Sequence, residues 1–284
     1  MPYILRQLEL SISQCETTQC RTEECILGIV NTMETAVAFY IGSLEETEGQ
    51  GQGYLMYDLA DQMGGFFRTS GPNGDQTTGT SMVNQQVIAE FNTMRFSLLN
   101  RNCTPARASL DRIRSLMTVP LIQGILRESY LQAKMPGSVT PSDQTRGAMF
   151  AASLVPQLSL CHPNDALIIH DNLKTGRSYP PDFDLVKTAL ENNYHCLIIQ
   201  CSDVGGMWQP STLGGGSYMA DAGPCGLPPK HLTAGQIVGI VLGSIFGFLI
   251  LCCIFLFKCL PKERKSKRKR KQAQFSANPD ATAA

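Results

Sequence analysis

The sequence predicts a mainly α-helical ectodomain, a helical bundle closed by a disulfide-held C-terminal cap and carried by one C-terminal transmembrane helix. Three observations lead there. Apolar residues recur every three or four positions through most of residues 21–200, and no run of convincing length alternates as a half-buried strand does. Ile237–Phe257 is 21 residues long without a charge; at about 1.5 Å rise per residue it spans roughly 30 Å, the hydrocarbon thickness of a bilayer. Eight cysteines precede that span, an even number that suggests disulfides in an oxidising compartment.

In chain order, residues 1–20 form an N-terminal segment. MPYILRQLEL holds Arg6 and no apolar run of secretory length, so it is no clear signal peptide, and the chain is expected to lack its natural N-terminus. Residues 21–212 form the helical ectodomain. Cys25, Ile29, Met33, Val37, Tyr40 and Leu44 predict a helix over about 21–44, which glycines end in EETEGQGQG. A second helix is expected over 54–67 and a third over 82–100, marked by Val83, Val87, Phe91, Met94 and Leu98. Thr104 is the expected N-cap, with Pro105 at the first helical position, of a fourth helix reaching Met117. A fifth starts at Pro120, a sixth covers 146–160 with a kink expected at Pro156, and Phe183, Val186, Leu190 and Tyr194 mark another. The glycine- and proline-rich stretch from Cys201 predicts an irregular cap, then a juxtamembrane stalk at 213–236, the transmembrane helix at 237–257 and a basic cytoplasmic tail at 258–284.

The formal net charge of zero hides two opposite parts. Residues 1–257 hold 15 Lys+Arg against 22 Asp+Glu, and the tail holds 9 against 2. A basic flank directly after a span stays in the cytosol and can touch anionic membrane lipids. That places the N-terminal side outside the cell, at the plasma membrane. The acidic ectodomain argues against nucleic acid as a partner. The disulfide candidates are Cys15, Cys20, Cys25, Cys103, Cys161, Cys196, Cys201 and Cys225, and eight cysteines allow 105 pairings. Three pairs share C-x4-C spacing, and residues five apart in a helix diverge, so such a bridge needs a break in the helix. Asn102-Cys103-Thr104 makes Asn102 a glycosylation candidate.

Enzyme signatures are absent: there is no G-x-S-x-G, no P-loop, no H-E-x-x-H and no dinucleotide-binding glycine set, so a non-enzyme is expected. The most pointed chemical pattern is Tyr54, Tyr57, Asp58 and Asp61, at i, i+3, i+4 and i+7 of the second helix, which puts two phenols and two carboxylates on one stripe. Hard cations such as ferric iron favour those oxygens, with an imidazole tolerated, and His162, His170, His195 and His231 are available elsewhere. A half-exposed helix face accounts for the same stripe.

The segments AVAFYIGSLE (36–45) with YLMYDLAD (54–61), LMTVPLIQGILR (116–127), and VKTALENNYHCLIIQCSDVGGMW (186–208) with DAGPCG (221–226) resemble the phytotransferrins, iron-starvation-induced surface proteins of diatoms and other algae. The likeness covers most of residues 15–230 in order and is followed by the same kind of span. It implies binding of ferric iron together with carbonate at the cell surface, then internalisation through endosomes. Tyr40, Glu45, Tyr57 and Asp61 are family-like positions, which makes them metal candidates beside Tyr54 and Asp58. Met63-Gly64 stands where the family pattern has a basic residue and a cysteine, so one of the eight cysteines is expected to lack its partner. The alternative function, from a different class, is an adhesion or receptor-type ectodomain without metal binding.

At and within the start of the span, Gly235, Gly239, Gly243 and Gly247 recur every fourth residue. Glycines at that spacing permit close backbone approach between membrane helices, so this face is the candidate for a homodimer.

Overall fold

The computed structural model describes residues 1–226 apart from 18–19, 21, 44–52, 54, 136–139 and 213–214. Met1–Leu227 forms one compact unit; Pro228–Ala284 clusters separately, and no residue of it is described. The expected span, the basic tail, the glycine face and His231 therefore lie outside the described residues, as do Glu45 and Tyr54.

The fold class is mainly α, as expected. The helices run in the order α1 (Pro2–Thr17), α2 (Glu23–Ile41), α3 (Met56–Phe67), α4 (Met82–Leu99), α5 (Cys103–Leu116), α6 (Val119–Lys134), α7 (Pro141–Cys161), α8 (Pro163–Leu173), α9 (Phe183–Glu191) and α10 (Cys201–Val204). Two short strands, β1 (Trp208–Pro210) and β2 (Gly216–Tyr218), follow. Neighbours in sequence pack as neighbours in space, α1 on α2, α4 on α5 and α7 on α8, while α6 lies against α3, α7 and α9. That central position explains why α6 buries residues all round, from Val119 to Gln132.

Local chemistry sets the boundaries. Thr22 caps α2 by accepting from the Cys25 amide at 3.3 Å, with Glu23 and Glu24 in the first turn against the helix dipole. Gly42 ends it in a backbone conformation (φ 86°) that glycine adopts without strain. Among the described helices, α2 alone has the length and composition to cross a membrane. It instead buries Ile29, Val30, Met33, Ala36 and Tyr40 in the bundle and pairs exposed Glu34 with Arg95 at 2.9 Å. Ser81 caps α4, and Thr140 with Asp143 forms a capping box on α7, which runs through Pro156 to Cys161.

Several expectations change. The N-terminal segment contains a helix, α1, which buries Ile4, Leu8, Ser11 and Ile12 at three- and four-residue spacing. The N-cap of α5 is Asn102, so Thr104 and Pro105 lie inside its first turn. Pro105 is tolerated there because the first helical amides have no intrahelical acceptor. The helix α8 has its own proline start at Pro163, and α9 stops at Glu191, leaving buried Tyr194 in the turn that follows. The C-terminal region holds a small antiparallel ribbon in which Trp208 opposes Tyr218.

All eight cysteines are paired: Cys15–Cys103, Cys20–Cys25, Cys161–Cys196 and Cys201–Cys225. The expectation of a partnerless cysteine is thus overturned. Cys20–Cys25 is the one C-x4-C pair that closes on itself, and it does so because Cys20 precedes the helix that holds Cys25. Cys201–Cys225 and the ribbon fold residues 215–226, expected to belong to the stalk, onto the body, where Ala222 is buried.

Candidate functional site

The sequence stripe on α3 divides between two surroundings. Asp61 faces inward, 9% exposed, and Tyr57 is partly buried against the core. Asp58 is half-buried on the outer side, where it accepts from Gln62 at 2.9 Å and lines an open groove with Met1, Ile4, Phe39 and Leu59. A helix turned 100° per residue separates positions 57 and 61 from position 58, and the packing of α3 against α2, α4 and α6 selects the first pair.

Tyr40 from α2 joins the inner pair. Its ring meets that of Tyr57 edge to face, with centroids 6.2 Å apart, and stands against Phe91 at 5.7 Å. The fully buried Tyr40 hydroxyl donates to Oδ1 of Asn84 at 2.6 Å. Asn84 Nδ2 donates in turn to the Tyr57 carbonyl at 2.8 Å and to Asp61 Oδ1 at 2.7 Å. The Ser81 amide adds a second bond to Asp61, donating to the same oxygen at 2.6 Å. Asn84 thus ties a phenol on α2 and a carboxylate on α3 to the first turn of α4.

Gly64 lets this happen. A Cβ there would stand 2.8 Å from both Ser70 Oγ and Ser81 Cβ, so only glycine allows α3 to approach the bridge between Ser70 and Ser81 this closely. The same crowding shows what a cysteine at this position would meet.

The electrostatics are unbalanced. Asp61 Oδ1 accepts two short hydrogen bonds, whereas Oδ2 is buried with no hydrogen-bond partner among the described residues, as is Ser70 Oγ. Burial pushes the Asp61 carboxyl above the usual carboxylate range, and the bonds from Ser81 and Asn84 oppose that rise without cancelling it. Asp58 is raised as well, by burial first and then by the Asp61 charge. Burial, then the charges of Asp61 and Tyr57, push the Tyr40 phenol far up.

Of the six metal candidates, Tyr40, Tyr57 and Asp61 come together, Asp58 sits at the outer edge of the stripe, and Glu45 and Tyr54 fall outside the described residues. Residues 44–54 connect the helix bearing Tyr40 to the helix bearing Tyr57. Among the described residues no three His, Cys, Asp or Glu side chains gather as a metal cluster; the candidates grouped here are one carboxylate and two tyrosines whose rings meet. His162, His170 and His195 are exposed at α7–α9, away from this network. Asn102 is exposed at its cap position. Sequence reasoning missed Asn84 and Ser81. The available signal was a polar residue at i, i+3, i+7 with Val87 and Phe91, which places an amide on the buried face of α4.

No family model matches this chain, and neither the curated proteins nor the solved structures contain a match to it.

Proposed function

We propose that this protein binds ferric iron at the cell surface, with carbonate as the second ligand, and serves iron uptake by internalisation without catalytic turnover. The observation that carries the reading is Asp61: a buried carboxylate with one free oxygen, held beside two tyrosines. Ferric iron is a hard cation that prefers carboxylate and phenolate oxygens. A trivalent charge would reverse the effect of burial on Asp61 and draw the proton from a neighbouring phenol. Tyr40 is bound to Asn84, so its service as a ligand requires that bond to break; Tyr57, one turn from Asp61 on the same helix, is the phenol assigned first. Carbonate comes from the resemblance to phytotransferrins, as do plasma-membrane residence and passage through endosomes. Acidification protonates both a bound carbonate and the raised carboxyls, which would release the metal.

The adhesion or receptor-type reading is favoured by the closure of the network, since Tyr40 is already fully buried and hydrogen-bonded. Ferric titration with and without bicarbonate separates the two. Metal binding tighter than micromolar that needs bicarbonate, weakens from pH 8 to pH 5 and carries a tyrosinate charge-transfer band supports iron uptake. Loss of that band in Tyr57→Phe assigns the phenol, and its retention removes Tyr57 from the site. Absence of such affinity under either condition leaves the receptor reading.

A further inference from the structure

A second cavity, of about 260 Å³, lies on the opposite part of the chain and shares no residue with the network around Asp61. It is lined by Gln132 of α6, Gln144 of α7, and Arg177, Ser178, Tyr179 and Pro180 of the α8–α9 connection. Arg177 is held rigidly at its edge. Its Nε donates to the Lys174 carbonyl at 3.1 Å, one terminal nitrogen to the Tyr179 carbonyl at 3.2 Å and the other to Gln132 Oε1. All three acceptors are neutral. The acids nearest in sequence are engaged elsewhere: Asp143 by Thr140 and Arg146, Asp171 by Lys174 at 2.8 Å, and Asp182 by the Leu185 amide at 3.0 Å. Arg177 therefore has no acidic partner among the described residues, in a part of the chain whose net charge is negative. Burial weakens its hold on its proton, and no carboxylate offsets that.

A guanidinium has five N–H bonds. Three are used, leaving one N–H on each terminal nitrogen to donate to an anionic oxygen. Around it, the Gln144 amide, the Ser178 hydroxyl and the Tyr179 phenol make no hydrogen bond to the described protein. Tyr179 is 57% exposed and, with Pro180, offers apolar surface beside these polar groups. The combination of one fixed cation, several free neutral donors and acceptors, and an exposed ring matches a carboxylated polyhydroxyl ring. The volume falls below the ~300–1,000 Å³ of drug-sized sites, which limits the occupant to about one such ring.

We propose that the Arg177 cavity binds a uronic-acid sugar, its carboxylate on the guanidinium and its hydroxyls on Gln144 and Ser178. The test is calorimetric titration of the full chain with galacturonate, galactose and acetate, each as the probe itself. Galacturonate is expected to bind at least tenfold more tightly than either other probe. Arg177→Gln should lower its affinity at least tenfold, with Arg177→Lys losing less because the charge is kept. Galactose binding as well as galacturonate, acetate binding as well, no galacturonate binding at about 10 mM, or full affinity in Arg177→Gln would each overturn the proposal. Should Arg177→Gln lose its cooperative unfolding transition, the exposed Tyr179→Ala carries the test: it should weaken galacturonate and spare acetate, and unchanged galacturonate affinity overturns the assignment. A galacturonate trimer binding as tightly as the monomer identifies the end of a glycan as the source, and exclusion of the trimer identifies the free acid.

Discussion

Replacing Asp61 by Asn should make the metal-free protein gain stability relative to the parent as pH rises. The folded carboxyl is held above its unfolded value of about 3.9, so the folded state binds the proton more tightly than the unfolded state does. The stabilisation from Asp61 is therefore fully present below about pH 4 and is lost as pH rises through the folded pKa. Asn does not titrate, so the difference between the two proteins isolates this group, and any constant cost of the buried amide cancels across pH. The magnitude follows from the geometry. One buried charged oxygen without a partner costs about 1–3 kcal/mol, and the favourable position of the charge at the start of α4 returns roughly 0.3–1 kcal/mol. The net gain of Asp61→Asn between pH 4 and pH 7 is then about 1–2 kcal/mol, or roughly 2–8 °C in Tm for a body of this size. Urea unfolding of both proteins at a series of pH values measures it. A flat difference, or one that grows in favour of the parent, would refute the reasoning and make Asp61 a structural capping group of α4. Ferric iron with bicarbonate should reverse the order at pH 7, because a ligand present at 100 times its Kd stabilises only the protein that binds it, by about 2.7 kcal/mol.

Three further outcomes are expected. Replacing Cys15 and Cys103 by Ser, which opens a separation of 88 residues, should cost about 4–5 kcal/mol, against about 2 kcal/mol for Cys20 with Cys25; denaturant midpoints rank the two, and equal losses would contradict the loop-entropy account. Gly64→Ala should destabilise by about 1–3 kcal/mol and weaken ferric binding together, since the added methyl pushes α3 away from Ser81; unchanged calorimetric stability would show that the Ser70 and Ser81 side chains yield. For the segment 237–257 that is expected to span a membrane, replacing Gly239 and Gly243 by Ile should abolish any dimer of the isolated peptide in detergent, and a surviving dimer would remove the glycines as its cause.

The bundle was legible because its signal is local. Spacings such as Val83, Val87, Phe91, Met94 and Leu98 are set within one helix, and that face of α4 is buried. The α1 helix carries the same signal in Ile4, Leu8 and Ile12, but a search for a signal peptide weighs run length and charge, and Arg6 interrupts the run without disturbing the helical face. Site geometry is not local. Periodicity groups Tyr57, Asp58 and Asp61 on one stripe, yet which edge of the stripe faces inward depends on where α2 and α4 lie, and nothing in 54–61 encodes that. Asn84 escaped for the complementary reason: an uncharged amide stands out only once the face that holds it is known to be buried. Disulfide pairing was closed to sequence altogether, because Cys15 and Cys103 meet through the packing of α1 on α5.

The cap has a mechanical consequence. A pull on the chain beyond Gly226 reaches Cys225 and passes through its bridge directly to Cys201. The intervening loop, with the Trp208–Tyr218 ribbon inside it, is short-circuited and carries no tension. The load enters the body at α10, next to Gly205 and Gly206, where the Gly206 amide donates to the Phe67 carbonyl at 3.3 Å and Gln123 ties Val204 to Thr69. Those contacts brace the far end of α3, the helix that bears Tyr57 and Asp61. Tension on the chain beyond Gly226 is therefore passed to the C-terminal end of that helix, while the ribbon, with Trp208 under Arg68, keeps its shape.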